Sequence, residues 1–63
     1  MKWINVKNEL PTDEVLCLLR GWDDMIYYRV LDYDFIHKEW SDWDGNLYNN
    51  VEYWMSLPKP PKK

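Results

Sequence analysis

Cysteine, glycine and histidine are scarce in this chain, and long apolar runs are missing altogether. The one cysteine among 63 residues, Cys17, excludes the intramolecular disulfides on which many small domains depend. It lies inside the apolar run Val15-Leu16-Cys17-Leu18-Leu19, where a free thiol behaves as a small hydrophobe, so a buried, inert side chain is expected. No stretch approaches the roughly 20 apolar residues that span a bilayer, and Met1-Lys2-Trp3-Ile4-Asn5 lacks the apolar block of a signal peptide. No membrane partner is expected, and the cytoplasm is the expected compartment. With His37 the sole histidine, and Ser41 and Ser56 the only serines, no nucleophile has a convincing base and orienter beside it. The chain reads as no enzyme, with no cofactor.

What is abundant is aromatic. Trp3, Trp22, Trp40, Trp43 and Trp54, five tyrosines and Phe35 put 11 large rings in one short chain, and each can bury roughly 150–250 Å². A domain this small buries only about 60% of the surface that its unfolded chain exposes, so the rings must supply the core, with some left over. Acids come next. Between Gly21 and Trp54 eight of them face only Arg29 and Lys38, a local balance of −6, while the end of the chain carries Lys59, Lys62 and Lys63. Such a centre repels phosphate backbones, whose non-specific affinity comes from Lys and Arg, and no direct nucleic-acid binding is expected.

The residue patterns predict a mainly β fold: one domain over residues 1–57, a small antiparallel sheet of three or four strands, and a proline- and lysine-rich tail over 58–63 that forms an extended strap. Trp3 to Val6 suits an N-terminal strand, ended by Leu10-Pro11. Residues 12–20 admit two readings. A short helix capped by Thr12 would make the fold α+β, whereas the continuous apolar run suits a buried strand, the preferred reading. Met25 to Tyr33 is rich in β-branched and aromatic residues and reads as a strand, with Ile36 to Trp43 as its partner. Asp44-Gly45 is a strong turn signal and Asn49-Asn50 a weaker one. Val51 to Met55 alternates as a last strand, and the prolines beyond Ser56 cannot join a ladder.

The two ends together resemble a known family. Trp3-Ile4-Asn5-Val6, Leu10-Pro11 and Tyr53-Trp54-Met55-Ser56-Leu57-Pro58-Lys59-Pro60-Pro61 look like the phage and prophage domain of unknown function catalogued as family 551. Its members open Trp-Ile-Ser-Val and close on Thr-His-Trp-Met-Pro-Leu-Pro-x-Pro-Pro. Tyr53 stands where the family has histidine and Ser56 where it has proline, so a role that needed that histidine does not carry over. The resemblance implies an accessory protein of a bacterial virus, acting in the host cytoplasm on a bacterial host or defence protein, and it brings no catalytic activity. The paired end motifs are expected to meet in one core, with the tail as a strap over it.

The carboxylates do not form a calcium loop: with Gly45 at its sixth position the first falls on Trp40 and the twelfth on Val51, where acids are required. No metal is expected. What remains is the ring-studded acidic centre, Trp22, Asp23 and Asp24 with Trp40, Asp42, Trp43 and Asp44. Tryptophan dominates interface hot spots, and these seven residues are the candidate partner-binding set. The expected function is inhibition of a host protein through protein contacts, with the acids imitating nucleic acid. The alternative is a binder of a small molecule such as a nucleotide, and a structural virion component is a third reading. The unpaired edges of a small sheet add the expectation of a homo-oligomer.

Overall fold

Alternation along Val15–Arg20 decides the ambiguous segment. In the computed structural model, which describes residues 2–57, Val15, Cys17 and Leu19 are buried while Leu16 and Leu18 are half-buried on the opposite face. That is the two-residue period of a strand, and it overturns the helix alternative over residues 12–20. Among the described residues there are six strands and no helix: β1 (Ile4–Asn5), β2 (Val15–Arg20), β3 (Ile26–Asp34), β4 (Glu39–Ser41), β5 (Leu47–Tyr48) and β6 (Val51–Ser56). They form one sheet in the order β1-β6-β2-β3-β4-β5, with every neighbouring pair antiparallel. The expected three or four strands become six: the N-terminal arm pairs as the two-residue β1 at one edge, and Leu47–Tyr48, not anticipated as a strand, adds β5 at the other. The strap expected of the prolines falls outside the described residues.

Connectivity forces this sheet to curl. β5 and β6 stand four strand spacings apart in the sheet order, about 19 Å if the sheet were flat. Only Asn49 and Asn50 join them, and three Cα steps reach about 11 Å at most. The sheet therefore wraps until β5 comes back toward β6. Strand β3 makes the bend, pairing with β2 over Ile26–Leu31 and with β4 over Asp32–Asp34.

The concave side holds the core of Val15, Cys17, Leu19, Leu31, Trp40, Val51 and Trp54, flanked by half-buried Ile4, Val6, Leu10, Tyr27, Tyr33 and Tyr48. Burial pushes the Cys17 thiol up to about 12, which leaves it protonated and unreactive at neutral pH. Ile4 and Trp54 are direct register partners, and the Trp54 indole N–H donates to the Glu9 carbonyl at 2.8 Å. The two end motifs thus meet across one strand pair. Simple alternation from Val51 would have turned Trp54 outward. The register shifts between Leu18 and Leu19, where Val51 faces Leu19 but Tyr53 faces Leu18, and this bulge leaves Glu52 as the extra residue. Val51 and Trp54 consequently share the inner face, while Tyr53 and Met55 lie outside.

The strand expected over Ile36–Trp43 begins only at Glu39. The Asp34 carboxylate accepts from the backbone N–H groups of Ile36 at 2.9 Å and His37 at 3.2 Å, an Asx-type turn that withdraws both from any ladder. Lys38, at φ 56, completes the reversal.

Candidate functional site

The hairpins β2–β3 and β4–β5 close on the same backbone pattern. At the first, the Asp24 N–H donates to the Gly21 carbonyl at 3.1 Å and the Gly21 N–H to the Met25 carbonyl at 2.7 Å. At the second, the Gly45 N–H donates to the Asp42 carbonyl at 3.0 Å and the Asp42 N–H to the Asn46 carbonyl at 3.0 Å. The fourth residue of each turn lies in the left-handed region, Asp24 at φ 56 and Gly45 at φ 92. Superimposed residue for residue, Gly21-Trp22-Asp23-Asp24-Met25 matches Asp42-Trp43-Asp44-Gly45-Asn46. A tryptophan holds the second place in both and an aspartate the third.

Both rings stand in solvent, Trp22 99% and Trp43 86% exposed, and Asp23 and Asp44 beside them are exposed too. Since β2 and β4 both run antiparallel to β3, the two turns point the same way along it; the first lies where β3 begins, at Arg20 and Ile26, and the second lies beside its middle, because β4 ends at Ser41 opposite Asp32. Neither turn needs tryptophan for its geometry, which favours Pro, Gly, Asn, Asp or Ser. Neither ring contributes to the core.

The second turn is braced by its first residue. Asp42 accepts from the backbone N–H groups of Asp44 at 3.0 Å and Asn46 at 2.9 Å, from the Asn46 side-chain amide at 3.0 Å and from the Tyr48 hydroxyl at 3.0 Å. The Asn46 amide, foremost among these donors, holds the Asp42 carboxyl below its usual range. Such a carboxylate is engaged by its own turn, so its work is to hold Trp43 and Asp44 in place. Trp40 is 7% exposed and belongs to the core, where its ring meets Tyr33 edge-on at 5.0 Å. Of the seven candidate residues, then, Trp22, Asp23, Asp24, Trp43 and Asp44 reach the surface at the turns, while Trp40 and Asp42 lie behind them. Asp24 comes 3.9 Å from Arg20, an exposed contact of little energetic weight.

Two further features have chemical capacity. Asp34, His37 and Glu39 bring donor atoms within 4.8 Å of one another. Asp34 and Glu39 face each other across β3 and β4, a like-charge pair that disfavours the ladder. The His37 imidazole, 2.9 Å from Asp34, relieves that repulsion when protonated. Its pKa is raised by the hydrogen bond to Asp34, and that of Asp34 is lowered by the same bond. A shallow open groove of about 640 Å³ lies between the Val6–Leu10 segment and the β4–β5 hairpin, with Tyr33, Lys38, Trp40 and Tyr48 in its lining.

The geometry of the twin turns was invisible in the sequence because their fourth residues differ, glycine in one and aspartate in the other. A shared Trp-Asp step preceding each was the available signal. In comparison with known proteins, the family model described as "Protein of unknown function (DUF551)" matches residues 2–62. No curated protein and no solved structure matches the chain.

Proposed function

The chain belongs to the DUF551 family, and we propose that it is a non-catalytic binding protein whose two Trp–Asp turns grip a basic surface on a partner protein. One observation carries this reading: two almost fully exposed tryptophans occupy the same station of two equivalent turns that point the same way along β3. A tryptophan that neither fills a core nor shapes a turn leaves its apolar area available for contact, and tryptophan is the residue most enriched at binding hot spots. Asp23 and Asp44 set the charge of the partner. Carboxylates beside the rings favour lysine and arginine across the interface and disfavour phosphates. Following the family resemblance, the partner is a bacterial host or defence protein, and its basic nucleic-acid-binding surface is what the acids occupy. Inhibition follows from that occupancy.

A second reading has one observation of its own. The groove lined by Tyr33, Trp40 and Tyr48, with the Lys38 ammonium next to the Glu39 carboxylate, would admit a planar ligand such as a nucleotide, and its volume falls in the range of small-molecule sites.

The two readings separate in one experiment. Tagged wild-type protein and the Trp22→Ser/Trp43→Ser double variant are expressed in bacteria and recovered, and what accompanies each is identified by mass spectrometry. A basic protein held in stoichiometric amount by the wild type and lost from the double variant is the expected result. The same protein retained by both variants, or a nucleotide in the denatured supernatant of both, refutes the turn reading.

A further inference from the structure

The side of the sheet turned away from the core is apolar as well. Leu16 and Leu18 of β2 are flanked by Val30 and Tyr28 of β3 on one side and by Met55 and Tyr53 of β6 on the other. Trp3 reaches over this face and stacks on Tyr28, with ring centroids 5.9 Å apart. An antiparallel sheet with one wet face alternates apolar with polar residues. Across these three central strands the outer positions carry no charge until Arg20 and Glu52 at one border and Asp32 at the other.

Trp3, Ile26, Tyr28 and Val30 each keep 38–52% of their surface exposed, and Leu16, Leu18, Tyr53 and Met55 are half-buried. Together they offer on the order of 500 Å² of apolar surface, at the upper end of the largest patch found on a typical monomer. Two such faces laid together would remove at most about 1,000 Å² from water, the least that a biological interface should clear and the size of a weak, reversible one.

We propose that this face is the interface of a homodimer, in which a second copy packs sheet against sheet about a two-fold axis. Three features select a second copy over a different protein. A two-fold places the same patch on both partners, and an uncharged patch meets its own copy without repulsion. Homodimer interfaces are more apolar than those of transient complexes, whereas the twin turns, with an acid beside each ring, have the mixed character of the latter. Each chain carries a net charge of −3, yet the centre of the contact holds no charge: Arg20 and Glu52 at one border pair with each other at 3.0 Å, and Asp32 lies at the opposite border, exposed to solvent. Two sheets stacked in this way lie about 10 Å apart with their strands nearly aligned. The dimer carries four Trp–Asp turns.

Sedimentation equilibrium on the full chain tests the proposal, together with filtered NOE spectra on a mixture of labelled and unlabelled copies. A dimer at tens of micromolar is expected, with inter-copy NOEs at the methyls of Leu16, Leu18 and Val30. Val30→Lys should weaken association by at least about tenfold, since it buries an unpaired charge in the interface, while its far-UV spectrum stays that of the wild type. The NOE arm stands even if that variant fails to fold. A monomer across the concentration range overturns the proposal, as do inter-copy NOEs at Trp22 and Trp43 in place of the sheet face. A chain ending at Leu57 that dimerises where the full chain does not would assign the face to the last six residues, and would overturn it equally.

Discussion

Trp54→Ala should cost this protein most of its stability. The ring is 6% exposed, sits in the middle of the core, and is the register partner of both Ile4 and Cys17. At about 200 Å² of buried ring and about 25 cal/mol per Å², the transfer contribution is about 5 kcal/mol. Losses for such truncations run at about 3–5 kcal/mol, of the same size as that contribution. A chain of this length has roughly 3–9 kcal/mol to lose. Loss of the Trp54–Glu9 hydrogen bond adds little, because Glu9 is exposed and its carbonyl turns to water. Trp54→Phe separates the contributions: it keeps an aromatic ring, forfeits the indole N–H and part of the area, and should cost about half as much. Urea titration followed by far-UV circular dichroism measures both. A loss below about 1 kcal/mol for Trp54→Ala would mean that the ring is not a core anchor and that the pairing of the two end motifs is incidental.

The left-handed residues of the twin turns should respond in opposite directions: Asp24→Gly is expected to stabilise by about 0.5–1 kcal/mol and Gly45→Ala to destabilise by about 1 kcal/mol. Nothing lies within 4 Å of a Cβ at Gly45, so the backbone alone sets that cost, and thermal melts read both. Asp42→Ala removes the brace from Trp43 and should broaden its indole N–H resonance while leaving that of Trp22 unchanged; equal broadening of the two would refute the bracing role. His37, whose pKa is raised by its hydrogen bond to Asp34, stabilises the β3–β4 turn fully below its unfolded pKa of about 6.5, and that contribution is lost as pH rises through the raised value. Asp34, with its pKa lowered, contributes above the ordinary carboxylate value and ceases to as pH falls through the lowered one. The turn is therefore most stable between these limits. In an NMR titration Asp34→Asn should bring the His37 midpoint down, and an unmoved midpoint would contradict the pairing.

Much of the sheet was legible because apolar periodicity speaks directly to strands. Val15 to Leu19 and Ile26 to Leu31 pair as their composition suggests, and the burial of Cys17 follows from its neighbours. Where the reading failed, a single side chain or an unpaired residue had intervened. The Asp34 carboxylate diverts Ile36 and His37 into a turn, whereas Trp54 enters the core as the paired end motifs suggested, by way of a bulge at Glu52 that the order of residues does not show. Two-residue strands such as β5 are too short to show any period. Within the candidate site, Trp40 and Trp43 looked alike in sequence and have opposite fates. Trp40 lies on β4 and points inward, whereas Trp43 comes just past the strand end, on a turn with no core beneath it. Asp42 read as a surface acid, since nothing in the order of residues reveals that four donors will converge on it.

Binding through the twin turns is tested most directly by dissociation rates from the recovered partner, measured by surface binding for the wild type, for Trp22→Ser, for Trp43→Ser and for the double variant. Both rings stand free of the core, so all four proteins should share one melting temperature. Each single variant should dissociate at least about tenfold faster, as expected for loss of a hot-spot ring, and the double variant should fail to bind at measurable concentration. Replacing Asp23 and Asp44 with Asn should mainly slow association and flatten its dependence on salt. Four equal dissociation rates from proteins of equal stability would contradict the twin-turn interface outright.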